Sequence, residues 1–199
     1  PKRSDVLSVF AGLRPLAAPR SEGKKTKEIS RSHKLIREKS GLITIIGGKW
    51  TTYRKMAQDT LDLAIRYMHI PTKDCITERY QIHGSRKNPD FSDPLYVYGT
   101  DADEIRNLVA SSPAMAEKLH PDYAYTVGEV TWLVRNEMPR TLEDVLARRL
   151  RILFLDARAA MAMAPKVAGI LATEWGKDET WTSAQVKAFN EVASNYILN

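Results

Sequence analysis

A short apolar run, two adjacent glycines and a helical stripe follow one another in Gly41-Leu42-Ile43-Thr44-Ile45-Ile46-Gly47-Gly48-Lys49-Trp50-Thr51-Thr52-Tyr53-Arg54. That order leaves the chain few local options. Leu42 to Ile46 is apolar on both faces, which suits a strand covered on both sides. Gly47-Gly48 permits a tight turn and close approach of another group to the backbone. Beyond Trp50, apolar residues fall at Tyr53, Met56, Ala57, Leu61, Ala64, Ile65 and Met68, the stripe of an amphipathic helix. A helix leaving a glycine turn offers unpaired N–H groups and the positive end of its dipole, so this end suits an anion or an electron-rich group. The spacing is not that of a nucleotide-hydrolysing phosphate loop, because Gly-x4-Gly-Lys is missing. Many strand–turn–helix units with glycine at the turn bind nothing, and on Gly-Gly-Lys alone that reading stands.

Charge is unevenly placed. Residues 1–55 hold 14 Lys+Arg against 4 Asp+Glu, a balance of +10, while residues 56–199 carry −4. A basic first quarter on a mildly acidic remainder points to two units with different tasks. The basic segment suits a solvated surface, an anionic lipid or a small phosphorylated ligand. Its few aromatics form no stacking platform, so nucleic acid is not expected as a partner. The single Cys75 excludes an internal disulfide and fits a reducing compartment, and with four scattered His no metal site is expected.

Asp5 to Gly12 reads as a second buried strand, leading into Arg14 held by Pro15. An arginine there suits a bidentate grip on carboxylate or phosphate, or simply caps nearby carbonyls. Ala17 to Lys27 reads as a mobile surface loop. Glu28 to Arg37, a turn at Glu38–Gly41 and Leu42–Ile46 form an expected antiparallel hairpin, with Ile29, Arg31, His33 and Leu35 on one face. After Ile70-Pro71, residues 73–98 read as an irregular connector. The rest is helical in pattern. Asp101-x-x-Glu104 starts one helix, Tyr125 to Glu137 forms a second, and Thr141-x-x-Asp144 opens a third. Ala157 to Trp175 is a fourth, expected to kink or divide at Pro165, and Thr182 starts the last. The arginines at 135, 140, 148, 149 and 151 are expected to pair with carboxylates such as Glu137, Glu143 and Asp144.

Phe10-Ala11-Gly12-Leu13-Arg14-Pro15-Leu16, Ile29-Ser30-Arg31-Ser32-His33, the Gly41–Arg54 stretch and Thr141-Leu142-Glu143-Asp144-Val145-Leu146-Ala147-Arg148-Arg149 carry a resemblance. The chain resembles the C-terminal part of FAD-dependent glycerol-3-phosphate dehydrogenases, the quinone-linked bacterial and mitochondrial enzymes. The resemblance implies an α+β chain. Residues 1–72 would be a remnant of a flavin- and substrate-binding α/β domain, with strands, a hairpin and one long helix. Residues 73–199 would be an all-α C-terminal domain. It implies FAD as cofactor, held at Gly47, Gly48, Lys49, Trp50, Thr51 and Thr52. Lys49 would be catalytic on the substrate side of the flavin, and Arg14 and Arg31 would hold the phosphate of sn-glycerol 3-phosphate. His33 is read as secondary.

Ubiquinone or menaquinone would accept the electrons, at a peripheral membrane surface, and a homodimer is the expected assembly. The implied location is cytoplasmic, peripheral to a bacterial inner membrane. The family's dinucleotide-binding GxGxxG and its general base are not found here, so the chain reads as a C-terminal fragment that is inactive by itself. Two other readings stand beside this one: a glycerol-3-phosphate oxidase passing electrons to oxygen, and a non-catalytic helical module for interaction or oligomerisation.

Overall fold

The computed structural model describes residues 2–13 and 32–198. Arg14, Arg31 and the loop expected over 17–27 lie outside the described residues. Two compact units are present. The described residues of Gly12–Ile82 form the smaller, and those of Pro1–Ala11 with His83–Asn199 form the larger. The expected boundary at 72/73 differs from this partition at both ends of the smaller unit.

In the smaller unit, alternating apolar residues make a hairpin. Strand β1 (Lys34–Arg37) pairs antiparallel with β2 (Ile43–Ile46), setting Leu35 opposite Ile45 and Ile36 opposite Thr44. The Glu38 N–H donates to the Leu42 carbonyl at 2.9 Å, which closes the turn. All four β2 residues are half-buried, so the strand is only partly covered rather than enclosed on both faces. Helix α1 (Tyr53–Met68) packs on β2. Met56, Leu63, Ala64 and Ile65 are half-buried, whereas Leu61 and Met68, expected on the apolar stripe, are exposed. The Arg37 guanidinium lies 3.2 Å from the centre of the Tyr67 ring and ties β1 to the end of α1.

The larger unit is a helical bundle, so the whole is α+β as expected. Its helices are α2 (Ala102–Ala110), α3 (Pro113–Ala116), α4 (Val127–Asn136), α5 (Ile152–Leu155), α6 (Ala157–Trp175) and α7 (Glu179–Ser194), with a π-helical turn over Asp144–Arg149. Ile105, Leu133, Leu146, Leu153, Met163 and Leu171 are fully buried at its centre. Each such side chain contributes about 1.5–3 kcal/mol by leaving water. Short polar caps begin the helices: Thr126 accepts from Glu129 N, Asp156 from Ala159 N and Asp178 from Trp181 N. Each cap is worth about 1 kcal/mol.

Several expectations change here. Asp178 starts α7 at Glu179, ahead of the expected Thr182. Pro165 neither divides nor ends α6, which runs through it. The chain instead breaks at Arg151, whose φ is 60°. Asp5–Gly12 is not a strand. Its extended part lies on the bundle, where the Leu7 carbonyl accepts from Ala157 N (3.1 Å), the Ser8 hydroxyl donates to the Leu153 carbonyl (2.7 Å) and Val9 N donates to the Tyr196 carbonyl (2.8 Å). Phe10 meets Phe154 edge to face at 5.0 Å. Two of the expected arginines pair as expected, Arg148 with Glu143 and Arg149 with Glu137; Arg135 pairs instead with Glu174, and Arg140 and Arg151 form no ion pair among the described residues.

One buried group makes the bundle sensitive to pH. Glu129, on α4, is 4% exposed and accepts a hydrogen bond from the Tyr98 hydroxyl at 2.7 Å. Burial pushes its carboxyl from an ordinary 4.5 up to about 7, while the Tyr98 bond pulls the other way. An acid raised on folding leaves stability intact below its unfolded value. Between pH 4.5 and about 7 the unfolded chain loses its proton first, so stability falls as pH rises through that window. The loss attributable to this group amounts to about 3 kcal/mol. Urea unfolding from pH 4.5 to 8 should show that fall in the native chain and a flatter profile in Glu129→Gln. Parallel profiles would contradict it.

Candidate functional site

The turn between β2 and α1 is built by backbone geometry. Gly47 and Gly48 have φ of 76° and 86°, a region that side chains with a Cβ avoid. A Cβ on Gly48 would lie 2.5 Å from the Met56 sulfur and 3.3 Å from His33 Cβ, so the turn sits directly on α1 and the start of β1. Lys49 is extended, and Trp50–Thr52 form a 3-10 turn that runs into α1.

Thr52 locks this turn. Its hydroxyl accepts from Lys49 N at 3.2 Å and donates to the Lys49 carbonyl at 2.9 Å, and its own N–H donates to the same carbonyl. The donors of Lys49 N and Thr52 are therefore used inside the turn. The N–H groups of Trp50 and Thr51 lead it, and no hydrogen bond to another described residue engages them. Trp50 is 88% exposed, with its ring 6.0 Å from that of Tyr53. The Lys49 side chain is exposed and forms no ion pair among the described residues. Of the expected site residues, Gly47, Gly48, Lys49, Trp50, Thr51 and Thr52 are thus contiguous on one turn. Arg14 and Arg31 lie outside the described residues.

His33 is an anchor. Its Nε2 is 2.9 Å from Asp59 Oδ2, and Asp59 Oδ1 is 2.8 Å from the Lys55 ammonium. That hydrogen bond from Lys55 holds the Asp59 carboxyl below the usual carboxylate range, with His33 adding to it and desolvation opposing it. Sequence reasoning missed Met56 as the seat of Gly48 and Asp59 as the partner of His33. The signal for the second was a carboxylate one helical turn after Lys55, an i,i+4 pair.

Residues 42–182 match the family described as the C-terminal domain of alpha-glycerophosphate oxidase. The chain belongs to this family. Its curated relatives include proteins named as mitochondrial glycerol-3-phosphate dehydrogenases, "probable" in the first two cases. That of Caenorhabditis elegans is 35% identical over 98% of this chain and 29% of its own length. The Dictyostelium discoideum protein is 34% identical over 98% of this chain and 33% of its own length. The Mesocricetus auratus protein is 31% identical over 98% of this chain and 29% of its own length. The chain thus spans about a third of the length of these relatives. The expected bacterial location is overturned, because these relatives are named as mitochondrial proteins of eukaryotes. The family match covers both the glycine turn and most of the bundle.

The glycine turn carries a direct test. Gly48→Ala should destabilise the smaller unit by about 1–3 kcal/mol through its positive φ, with the Met56 clash added. Hydrogen exchange of the β2 amides would read it. Met56→Ala in the same chain should recover the clash but not the backbone strain. Unchanged protection in Gly48→Ala would show that the turn is not constrained.

Proposed function

We propose that the chain is the C-terminal part of an FAD-dependent glycerol-3-phosphate dehydrogenase, with the Gly47–Thr52 turn facing the pyrimidine edge of the flavin. The observation that carries this reading is the pair of N–H groups on Trp50 and Thr51, at the exposed head of a helix, in a chain of this family. The group fits the turn: two glycines keep side chains off its backbone, and Thr52 holds the N–H groups in place without using them.

When bound, FAD supplies the acceptor for the hydride from C2 of sn-glycerol 3-phosphate, which becomes dihydroxyacetone phosphate. The protein's part is electrostatic. The Trp50 and Thr51 N–H groups and the helix dipole favour negative charge at the edge they meet. Lys49 offers a mobile ammonium beside the turn, which suits a place near the substrate. Arg14 and Arg31 would bind the phosphate, whose partial desolvation needs opposing charge. The +10 balance of the first 55 residues supports an anionic substrate. Ubiquinone or menaquinone is the proposed final acceptor, at a membrane surface, with a homodimer as the proposed assembly.

The family's description names an oxidase, and this favours a second reading in which oxygen is the final acceptor. The dehydrogenase names of the relatives put quinone first. The test uses the full-length parent. Anaerobic addition of sn-glycerol 3-phosphate should bleach its flavin absorbance. Arg31→Ala should weaken the apparent affinity about tenfold or more, the worth of a charge-assisted hydrogen bond. Lys49→Ala should slow bleaching. A flavin that ignores the substrate would overturn the activity, and rapid peroxide formation in air would favour the oxidase.

A further inference from the structure

We infer that the larger unit carries a second binding site, a cleft between the end of α4, the end of α6 and the start of α7, that takes a planar aromatic carboxylate. The cleft has a volume of about 320 Å³ and is lined by Val134, Met138, Arg140, Trp175, Lys177 and Trp181, with Pro139 at its wall. This inference goes beyond the proposed dehydrogenase function and does not depend on it.

Three independent features converge there. The first is aromatic: the Trp175 and Trp181 rings meet edge to face at 5.8 Å, interplanar angle 78°. Neither ring is fully buried, so the pair offers both a face and an edge to a flat guest.

The second feature is charge. The acids around the cleft are committed to other partners. Glu174 binds Arg135 through two hydrogen bonds, Glu137 binds Arg149, and Glu143 pairs with Arg148. Asp144 accepts from the backbone N–H of Arg140 and from Thr141 and lies 3.7 Å from Arg148, and Asp178 caps Trp181 N. Glu179 lines a different groove, with Pro165 and Val186. Arg140 and Lys177 have no carboxylate partner among the described residues. Two cations without an ion-pair partner among the described residues therefore flank two indoles. Arg140 can grip a carboxylate through two parallel N–H groups.

The third feature is strain. Met138 has φ of 48° and is 82% exposed. A left-handed backbone at a long side chain is strained, and such strain concentrates where a ligand is clamped. Here it places a flexible apolar side chain on the lip of the cleft, where a methionine adapts to an aromatic guest. A phosphate or a small inorganic anion would leave the indoles and Met138 unused, and a neutral aromatic would leave both cations unused. A flat ring bearing one carboxylate uses all of them.

The test uses the 199-residue chain with ¹⁵N-labelled tryptophan and 2-naphthoate as probe. The chain has four Trp side chains, so four indole N–H resonances report on it. The resonances of Trp175 and Trp181 should shift saturably while those of Trp50 and Trp132 stay in place. Calorimetric titration should give 2-naphthamide, the neutral counterpart, about tenfold weaker binding, and Arg140→Ala with Lys177→Ala a similar loss. Far-UV circular dichroism keeps the variants comparable, and Arg158→Ala serves as a charge control expected to bind normally. Equal binding of the amide, uniform shifts of all four indoles or no saturation at millimolar probe would each overturn the inference. So would preferential binding of an acidic peptide or of anionic vesicles that leaves the naphthoate cleft unoccupied.

Discussion

Gly48 has Met56 where its side chain would be, with the sulfur 2.5 Å from the position of a Cβ. Much of the smaller unit depends on that absence. The close seat brings β2 down onto α1, and the positive φ at Gly47 and Gly48 reverses the chain within two residues. Lys49 then leaves extended, and Thr52 folds back on it with three hydrogen bonds. The same close approach places the turn beside His33, whose bond to Asp59 fastens β1 to the helix that the turn begins. The outcome is a helix start whose first N–H groups are held in place without being consumed. An anion or an electron-rich edge can use them with little reorganisation.

The larger unit has a different economy. Its arginines are mostly paired, its helices are capped by short polar side chains, and its core is aliphatic and alanine-rich. Alanines along α6 allow α4 and α7 to pack closely on it. The segment 6–10 adds three hydrogen bonds to this bundle through backbone and Ser8. The excess positive charge of the chain lies in its first quarter and not in the bundle. Charge and packing thus follow the asymmetry of the sequence, and the cleft at Trp175 and Trp181 is flanked by two cations, Arg140 and Lys177, that make no ion pair among the described residues.

Local patterns were legible wherever neighbours in sequence decide the structure. The hairpin, the α+β class, the helix after Gly48 and the i,i+4 pair of Arg148 with Asp144 all follow from alternation, glycine placement or helical spacing. What depended on distant partners was not legible. Asp5–Gly12 has the apolar content of a strand but finds helix ends instead of a sheet edge. Pro165 lies inside an alanine-rich helix and fails to break it, because burial on both sides of it at Met163, Ala164, Val167 and Ala168 outweighs one lost hydrogen bond. The π-helical widening over Asp144–Arg149 and the break at Arg151 have no local signature in composition. Of the site, the turn residues were readable as a set. The commitment of the Thr52 hydroxyl to the turn, and the roles of Met56 and Asp59, needed three dimensions.

In the proposed function the N–H groups at the head of α1 stabilise charge on a bound flavin, and the reduction potential of the full-length parent's flavin reads that effect. Trp50→Pro removes one of these N–H groups. The extended Lys49 before it, at φ −135° and ψ 152°, accommodates a following proline, so the turn should survive. Trp50→Ala removes the indole but keeps the N–H. The potential in Trp50→Pro should lie below that in Trp50→Ala by about 30 mV, the two-electron equivalent of one hydrogen bond of about 1.4 kcal/mol. Equal potentials in the two variants would contradict it.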